Sequence, residues 1–217
     1  MIEINSIIQG GRNLLKKEFP QIVLLHILVI MFLGFLYVTK NQYMFLIVNV
    51  TLALIPFDIS LAIKHTKSNI IAGILGLVWL AFYPNTMYMI TDFIHLSSIG
   101  TNIVTAYQYA HYAILALGIF SGVLFGLGSA TLVFERFVRD PDFSIQVLFY
   151  GVLSFMSAVG IYLGRYKRLN TTDLITNFHG TLMQIKHAFT PDMIAFVFCF
   201  VLVQLFLFAV FQIMKER

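Results

Sequence analysis

The sequence predicts an all-α fold, a bundle of about six transmembrane helices with an amphipathic helix on the outer membrane surface between spans five and six. Three observations carry this reading. Only 11% of the 217 residues are charged while 59% are hydrophobic, and the mean hydropathy is +0.86, against the roughly 25% charge of a soluble domain. The apolar residues fall into six runs, about 21–38, 43–63, 70–90, 107–134, 145–163 and 192–214, each near the ~20 residues that cross a bilayer core. The segments between runs are short, which excludes a nucleotide-binding fold or a large ectodomain, so 1–217 reads as a single integral membrane domain.

The first run follows Arg12, Lys16 and Lys17, as in a signal peptide, but no small-x-small cleavage site precedes Thr39-Lys40, so it is expected to be a retained helix. Pro56 in the second run and Pro84 in the third each remove a backbone donor and crowd the preceding turn, and both helices are expected to kink or break there. From Asn69 to Tyr83 a helix rises only ~21 Å at ~1.5 Å per residue, short of the ~30 Å hydrocarbon core. Asn85 and Tyr88 are therefore expected within the outer leaflet, and Asp92 and His95 at its interface.

In the fourth run Gly118, Gly122 and Gly126 recur every four residues and Ala130 continues the row, a face that admits a close neighbour, either a helix of this chain or one of a second copy or partner. Ser157, Gly160 and Gly164 of the fifth run form the expected opposing surface. Between the last two runs, Leu174, Phe178, Leu182, Ile185 and Phe189 keep helical spacing, interrupted by Asp173, His179, Lys186 and His187, and predict the amphipathic helix at about 171–189. Asn170 and Asp173 also fit the start of that helix. Cys199, the one cysteine, lies inside the last run, which excludes a disulfide within the chain and suits packing.

Orientation follows from the basic residues. With both termini cytoplasmic, nine of the fourteen Lys and Arg lie inside, and Arg165, Lys167, Arg168 and Lys186 form the one cluster that opposes the bias. A basic cluster kept outside suits gripping a lipid phosphate or pairing with Asp92 and Asp173. The net charge of +4 is juxtamembrane, fits anionic lipid headgroups and gives no reason to invoke nucleic acid. Tyr107, Tyr109 and Tyr112 read as an interfacial aromatic belt, and His111, about one turn into the span, is placed to face His95.

The stretch from Tyr83 to Leu96 concentrates the chemistry. Asn85, Tyr88, Asp92 and His95 step by three, four and three residues, one polar stripe if the segment is α-helical. Polar and ionisable groups at the end of an apolar span line a cavity, pair with each other or do chemistry. Asp92 and His95 are the candidate catalytic pair, the carboxylate fixing the tautomer of an imidazole base. Asn85, Tyr88, Arg165, Arg168, Asn170 and Asp173 are the candidate substrate-binding residues. A metal held by Asp92, His95, His111 and His179 is the weaker reading, since no HExxH or clustered His-x-x-His motif is present, and the sequence names no cofactor.

Three pieces together resemble a family of bacterial multi-pass membrane proteins, domain of unknown function 1361. They are Ile55-Pro56 with Ser60; Pro84-Asn85 with Tyr88, Thr91-Asp92 and His95-Leu96; and Gly164-Arg165 with Arg168, Asn170, Asp173 and Leu174. The resemblance spans most of the chain, and its middle piece is the most specific. The family pattern has a small residue and proline between the Asn and Tyr and an aromatic before the final Asp, where this chain has Thr86-Met87 and Thr172. The resemblance implies a membrane bundle and marks the same ionisable residues, with no activity attached.

Three functions compete on these residues: an enzyme acting by Asp/His acid-base chemistry at the outer leaflet on a lipid-linked or cell-envelope substrate; a binder or transporter of an anionic lipid or solute; and an accessory subunit whose glycine face docks a partner helix.

Overall fold

The computed structural model describes residues 2–40, 42–100, 104–139, 142–167 and 189–215. Arg168, Asn170, Asp173, His179 and all but the last residue of the expected amphipathic segment lie outside these. Among the described residues every regular element is helical, and six helical stretches are long and apolar enough to cross a membrane: Glu18–Val38, Phe45–His65, Asn69–Ile99, Ala106–Phe137, Phe143–Tyr166 and Pro191–Lys215. The protein is an all-α, multi-pass membrane protein, as its composition requires.

The chain forms two compact units, Met1–Ile47 and Val48–Arg217. In the first, α1 (Ile2–Val38) begins well upstream of the expected position 21 and runs through Pro20. Its end is marked by Lys40 in the left-handed region, at φ 47°, and by Thr39 Oγ1 donating to Phe35 O at 2.7 Å, which satisfies one of the carbonyls a helix end leaves open.

Most of α2 (Phe45–His65) belongs to the second unit, with α3 (Asn69–Phe82), α4 (Pro84–Tyr88), a 3-10 helix (Met89–Ile99), α5 (Ala106–Phe137), α6 (Phe143–Lys167) and α7 (Pro191–Lys215). The two prolines behave differently. Of the kink or break expected at Pro56, the break does not occur: α2 continues through it as one helix; in apolar surroundings no water competes for its remaining backbone bonds. At Pro84 the helix does break. Tyr83 N–H still reaches Trp79 O at 2.8 Å, Pro84 supplies no N–H, and Thr86 N–H turns to Tyr83 O at 3.0 Å, a bond one residue shorter than the α-helical one.

Beyond the break the chain winds more tightly than expected. After five α-helical residues it becomes a 3-10 helix of eleven residues, where runs beyond about four are uncommon. Hydroxyls hold it: Thr91 Oγ1 donates to Tyr88 O at 2.7 Å, Ser97 Oγ to Ile94 O at 2.9 Å and Ser98 Oγ to His95 O at 2.6 Å, each to the carbonyl three residues back. The helix stops at Gly100, whose φ of +115° suits glycine. Gln108 then fastens the connection, donating to Ile99 O at 3.0 Å and completing a capping box with Thr105 at the start of α5.

The broken segment is wedged between α5 and α6. A methyl at Gly122 would lie 2.3 Å from Met89 Cγ, one at Gly126 would lie 2.5 Å from Thr86 Oγ1, and one at Gly160 would lie 3.0 Å from Pro84 Cγ. The glycine row of α5 thus receives the broken third span, not the Ser157–Gly164 surface of α6; that surface meets the other side of the wedge through Gly160. A buried apolar cluster that includes Trp79, Tyr83, Met87, Leu127, Tyr150 and Phe208 continues the packing away from the break.

Replacing Gly126 with leucine is expected to destabilise the detergent-solubilised protein by about 1–3 kcal/mol through overpacking. Gly151→Ala, where an added methyl meets nothing within 4 Å, is expected to match or exceed wild-type stability; thermal unfolding of the two variants checks both.

Candidate functional site

The third span is a near-continuous apolar run until Tyr83, so the polar groups beyond the break enter the bundle only where partners receive them. Asp92 is 1% exposed. Asn49 Nδ2, on α2, donates to Asp92 Oδ2 at 2.7 Å. On the other side Arg165 Nη1 stands 3.8 Å from Asp92 Oδ1, which accepts no hydrogen bond among the described residues. The carboxylate is bonded through one oxygen and charge-compensated through the other.

Arg165, near the end of α6, is held more firmly by its other neighbours. Its Nη1 donates to Tyr88 OH at 2.9 Å and its Nη2 to Thr91 O at 3.2 Å. Its guanidinium carbon also lies 5.3 Å from the centre of the Tyr88 ring, within the range of a cation–π contact. Two of the five N–H donors of a guanidinium are thereby used among the described residues, and the side chain is 26% exposed. The carboxylate is shut in while the arginine reaches the surface.

The four-residue stripe expected from the sequence is divided. Asn85 Nδ2 donates to Phe82 O at 3.0 Å, so this side chain serves the carbonyl exposed by the break rather than the Asp92 cluster. Tyr88 and Asp92 both face Arg165, one by a hydrogen bond and the other by charge. His95 lies one 3-10 turn past Asp92, on the same side at three residues per turn, and within electrostatic reach of the carboxylate. The stripe assumed the α-helical period throughout, whereas Asn85 and Tyr88 lie in the α-helical piece and Asp92 and His95 in the 3-10 segment. His111 packs edge-on against Tyr107, with ring centres 4.4 Å apart.

Two members of the cluster were not among the site residues read from the sequence, although Thr91 stands in the family resemblance. Asn49 is the one amide in the second run, which also holds Thr51, Asp58 and Ser60, and that isolation was its only signal. Thr91 contributes a backbone carbonyl, for which no residue type gives a signal. Arg168, Asn170 and Asp173 lie outside the described residues. Among the described residues, no three His, Cys, Asp or Glu side chains converge as a metal site would need.

At the other end of the helices Arg136 Nη2 donates to Asn69 Oδ1 at 2.9 Å and Lys215 pairs with Glu135. These ties join the ends of α5 and α7 and the start of α3; the Asp92–Arg165 cluster lies at the opposite end of α6.

A model of the family described as "Protein of unknown function (DUF1361)" matches residues 48–207, starting where the second compact unit starts. No curated protein and no solved structure matches the chain.

Asn49→Leu removes the one hydrogen bond that Asp92 accepts among the described residues and is expected to cost about 1.5–3 kcal/mol, the range for a bond to a charged group. Asn49→Asp, which sets a second carboxylate against the first, is expected to cost more. Denaturation in detergent micelles ranks the two.

Proposed function

Because the chain belongs to the DUF1361 family, whose description assigns no activity, we propose a function from the geometry of the cluster: the protein binds the anionic headgroup of a lipid or lipid-linked substrate, with Arg165 as the anion-binding group. One observation carries this reading, the contrast between a shut-in Asp92 and a partly exposed Arg165 that retains unused donors among the described residues. An arginine already oriented by Tyr88 and Thr91 offers its remaining N–H groups in a fixed direction, which suits the planar, bidentate recognition of phosphate or carboxylate. Asp92 orients the arginine, and Asn49 orients Asp92.

The outer leaflet of the cell membrane is the proposed location. Lys64, Lys67, Arg136, Arg139 and Lys215 stand at or just beyond the helix ends remote from Arg165, and the positive-inside bias supports reading that end as cytoplasmic. Arg168, Asn170 and Asp173, which follow Arg165 closely in the sequence, extend the proposed headgroup site.

A second reading, acid-base catalysis on a lipid-linked or cell-envelope substrate, is favoured by the stacking of His95 one turn beyond Asp92 on a 3-10 helix. In that reading His95 is the base and Asp92 its orienting partner.

Native mass spectrometry of the full chain in detergent, with phosphatidylglycerol or phosphatidylcholine added, separates the readings. Wild type is expected to retain phosphatidylglycerol preferentially, and Arg165→Gln to lose at least about fivefold of that retention, as charge-assisted bonds are lost. Equal retention by both proteins contradicts headgroup binding at Arg165. His95→Gln is expected to keep the lipid; a change in cell-envelope composition in cells carrying His95→Gln would instead favour catalysis.

A further inference from the structure

A second set of polar side chains lies in the apolar middle of the bundle, away from Arg165. Trp79 Nε1 and Tyr83 OH at the end of α3, Ser154 Oγ and Ser157 Oγ on α6, and Gln204 Oε1 on α7 are buried without a hydrogen-bond partner among the described residues. None of the five residues is more than 3% exposed.

These groups share one region of the fold. Trp79, Tyr83 and Tyr150 belong to the same buried cluster, and the Trp79 and Tyr83 rings are 5.0 Å apart. Gln204 Nε2 donates to Ser154 O at 3.3 Å, which brings the amide of α7 against the serine turn of α6. Gly160, one turn beyond Ser157, abuts Pro84, the residue after Tyr83. Tyr150, Ser154 and Ser157 are spaced by four and three residues and so lie along one face of α6. The row ends in a satisfied network, where Gln212 Nε2 donates to Tyr150 OH at 2.6 Å and to Thr131 Oγ1 at 2.9 Å. On α6, the buried Ile161 separates Ser157 from Arg165, so this set is distinct from the headgroup cluster.

The donor and acceptor inventory constrains the ligand's chemistry. Trp79 Nε1 can only donate, Gln204 Oε1 can only accept, and the tyrosine and serine hydroxyls do both. No charged side chain belongs to the set, which disfavours an ion. A small neutral molecule that donates and accepts together satisfies all five groups, and buried polar groups of this kind are commonly bridged by water. We propose that the junction of α3, α6 and α7 beside the Pro84 break is an internal water-binding site, in which a small cluster of water molecules bridges Trp79, Tyr83, Ser154, Ser157 and Gln204. The bundle is then hydrated inside its apolar span, next to the break at Pro84.

X-ray radiolytic footprinting of the full chain in detergent micelles in H2(18)O tests this, because water bound beside a side chain labels it even when bulk solvent cannot reach it. After correction for intrinsic reactivity, Tyr83 and Trp79 are expected to gain label on the order of tenfold faster than Phe125, a comparably buried side chain outside the set. Gln204→Leu is expected to slow labelling of Tyr83 severalfold while leaving the exposed Tyr166 unchanged. Wild-type labelling of Tyr83 and Trp79 no faster than that of Phe125 overturns the proposal, as does labelling of Tyr83 that Gln204→Leu leaves unaltered in a folded protein. The wild-type comparison decides alone if that variant fails to fold.

Discussion

A carboxylate enclosed in an apolar bundle is the constraint around which the second unit is arranged. An aspartate in a membrane span is costly unless it is paired, and Asp92 is almost fully enclosed. Its compensation comes from two other helices, the amide of Asn49 on α2 and the guanidinium of Arg165 on α6. These contacts fix where α2 and α6 stand relative to the broken span. The arginine is fixed in turn by Tyr88 and Thr91 of that same span. Charge and backbone thus hold one another: the break supplies the carbonyl and phenol that aim Arg165, and Arg165 makes Asp92 tolerable.

The glycines make that arrangement sterically possible. Gly122 and Gly126 on α5 and Gly160 on α6 leave room for Met89, Thr86 and Pro84, and a single methyl at any of them comes within 3.0 Å of the wedge. Close approach brings polar groups of the break into a bundle whose backbone bonds must be satisfied internally. Thr91, Ser97 and Ser98 provide part of that satisfaction by bonding to carbonyls three residues back, which also holds the tighter 3-10 winding. In that winding Asp92 and His95, one full turn apart, fall on the same side of the helix.

Much of this was legible in the sequence, and the limits of legibility have physical causes. The spans follow from run length, because crossing a bilayer fixes how many apolar residues a helix needs. The break at Pro84 follows from the lost N–H, and Arg165 stood out as a charge against the expected bias. Pro56 carries the same chemistry as Pro84 yet leaves its helix unbroken, so the residue type alone does not decide where a span breaks. The stripe from Asn85 to His95 was drawn with the α-helical period; beyond Tyr88 the chain takes 3-10 winding instead, and Asn85 turned to the carbonyl of Phe82. Asn49 could be seen only as an isolated amide, since its partner lies 43 residues away. The glycine row announced close packing but not its occupant, which is a short helix that exists only because the span breaks.

A double-mutant cycle on Asp92→Asn and Arg165→Gln, read by unfolding in detergent micelles, tests most directly whether the two residues act as one unit. Coupled partners in a buried network are expected to show an interaction of about 0.5–3 kcal/mol, the double variant losing less stability than the two single losses combined. Losses that add to within about 0.5 kcal/mol would contradict the account, leaving Asp92 and Arg165 as neighbours that do not depend on each other.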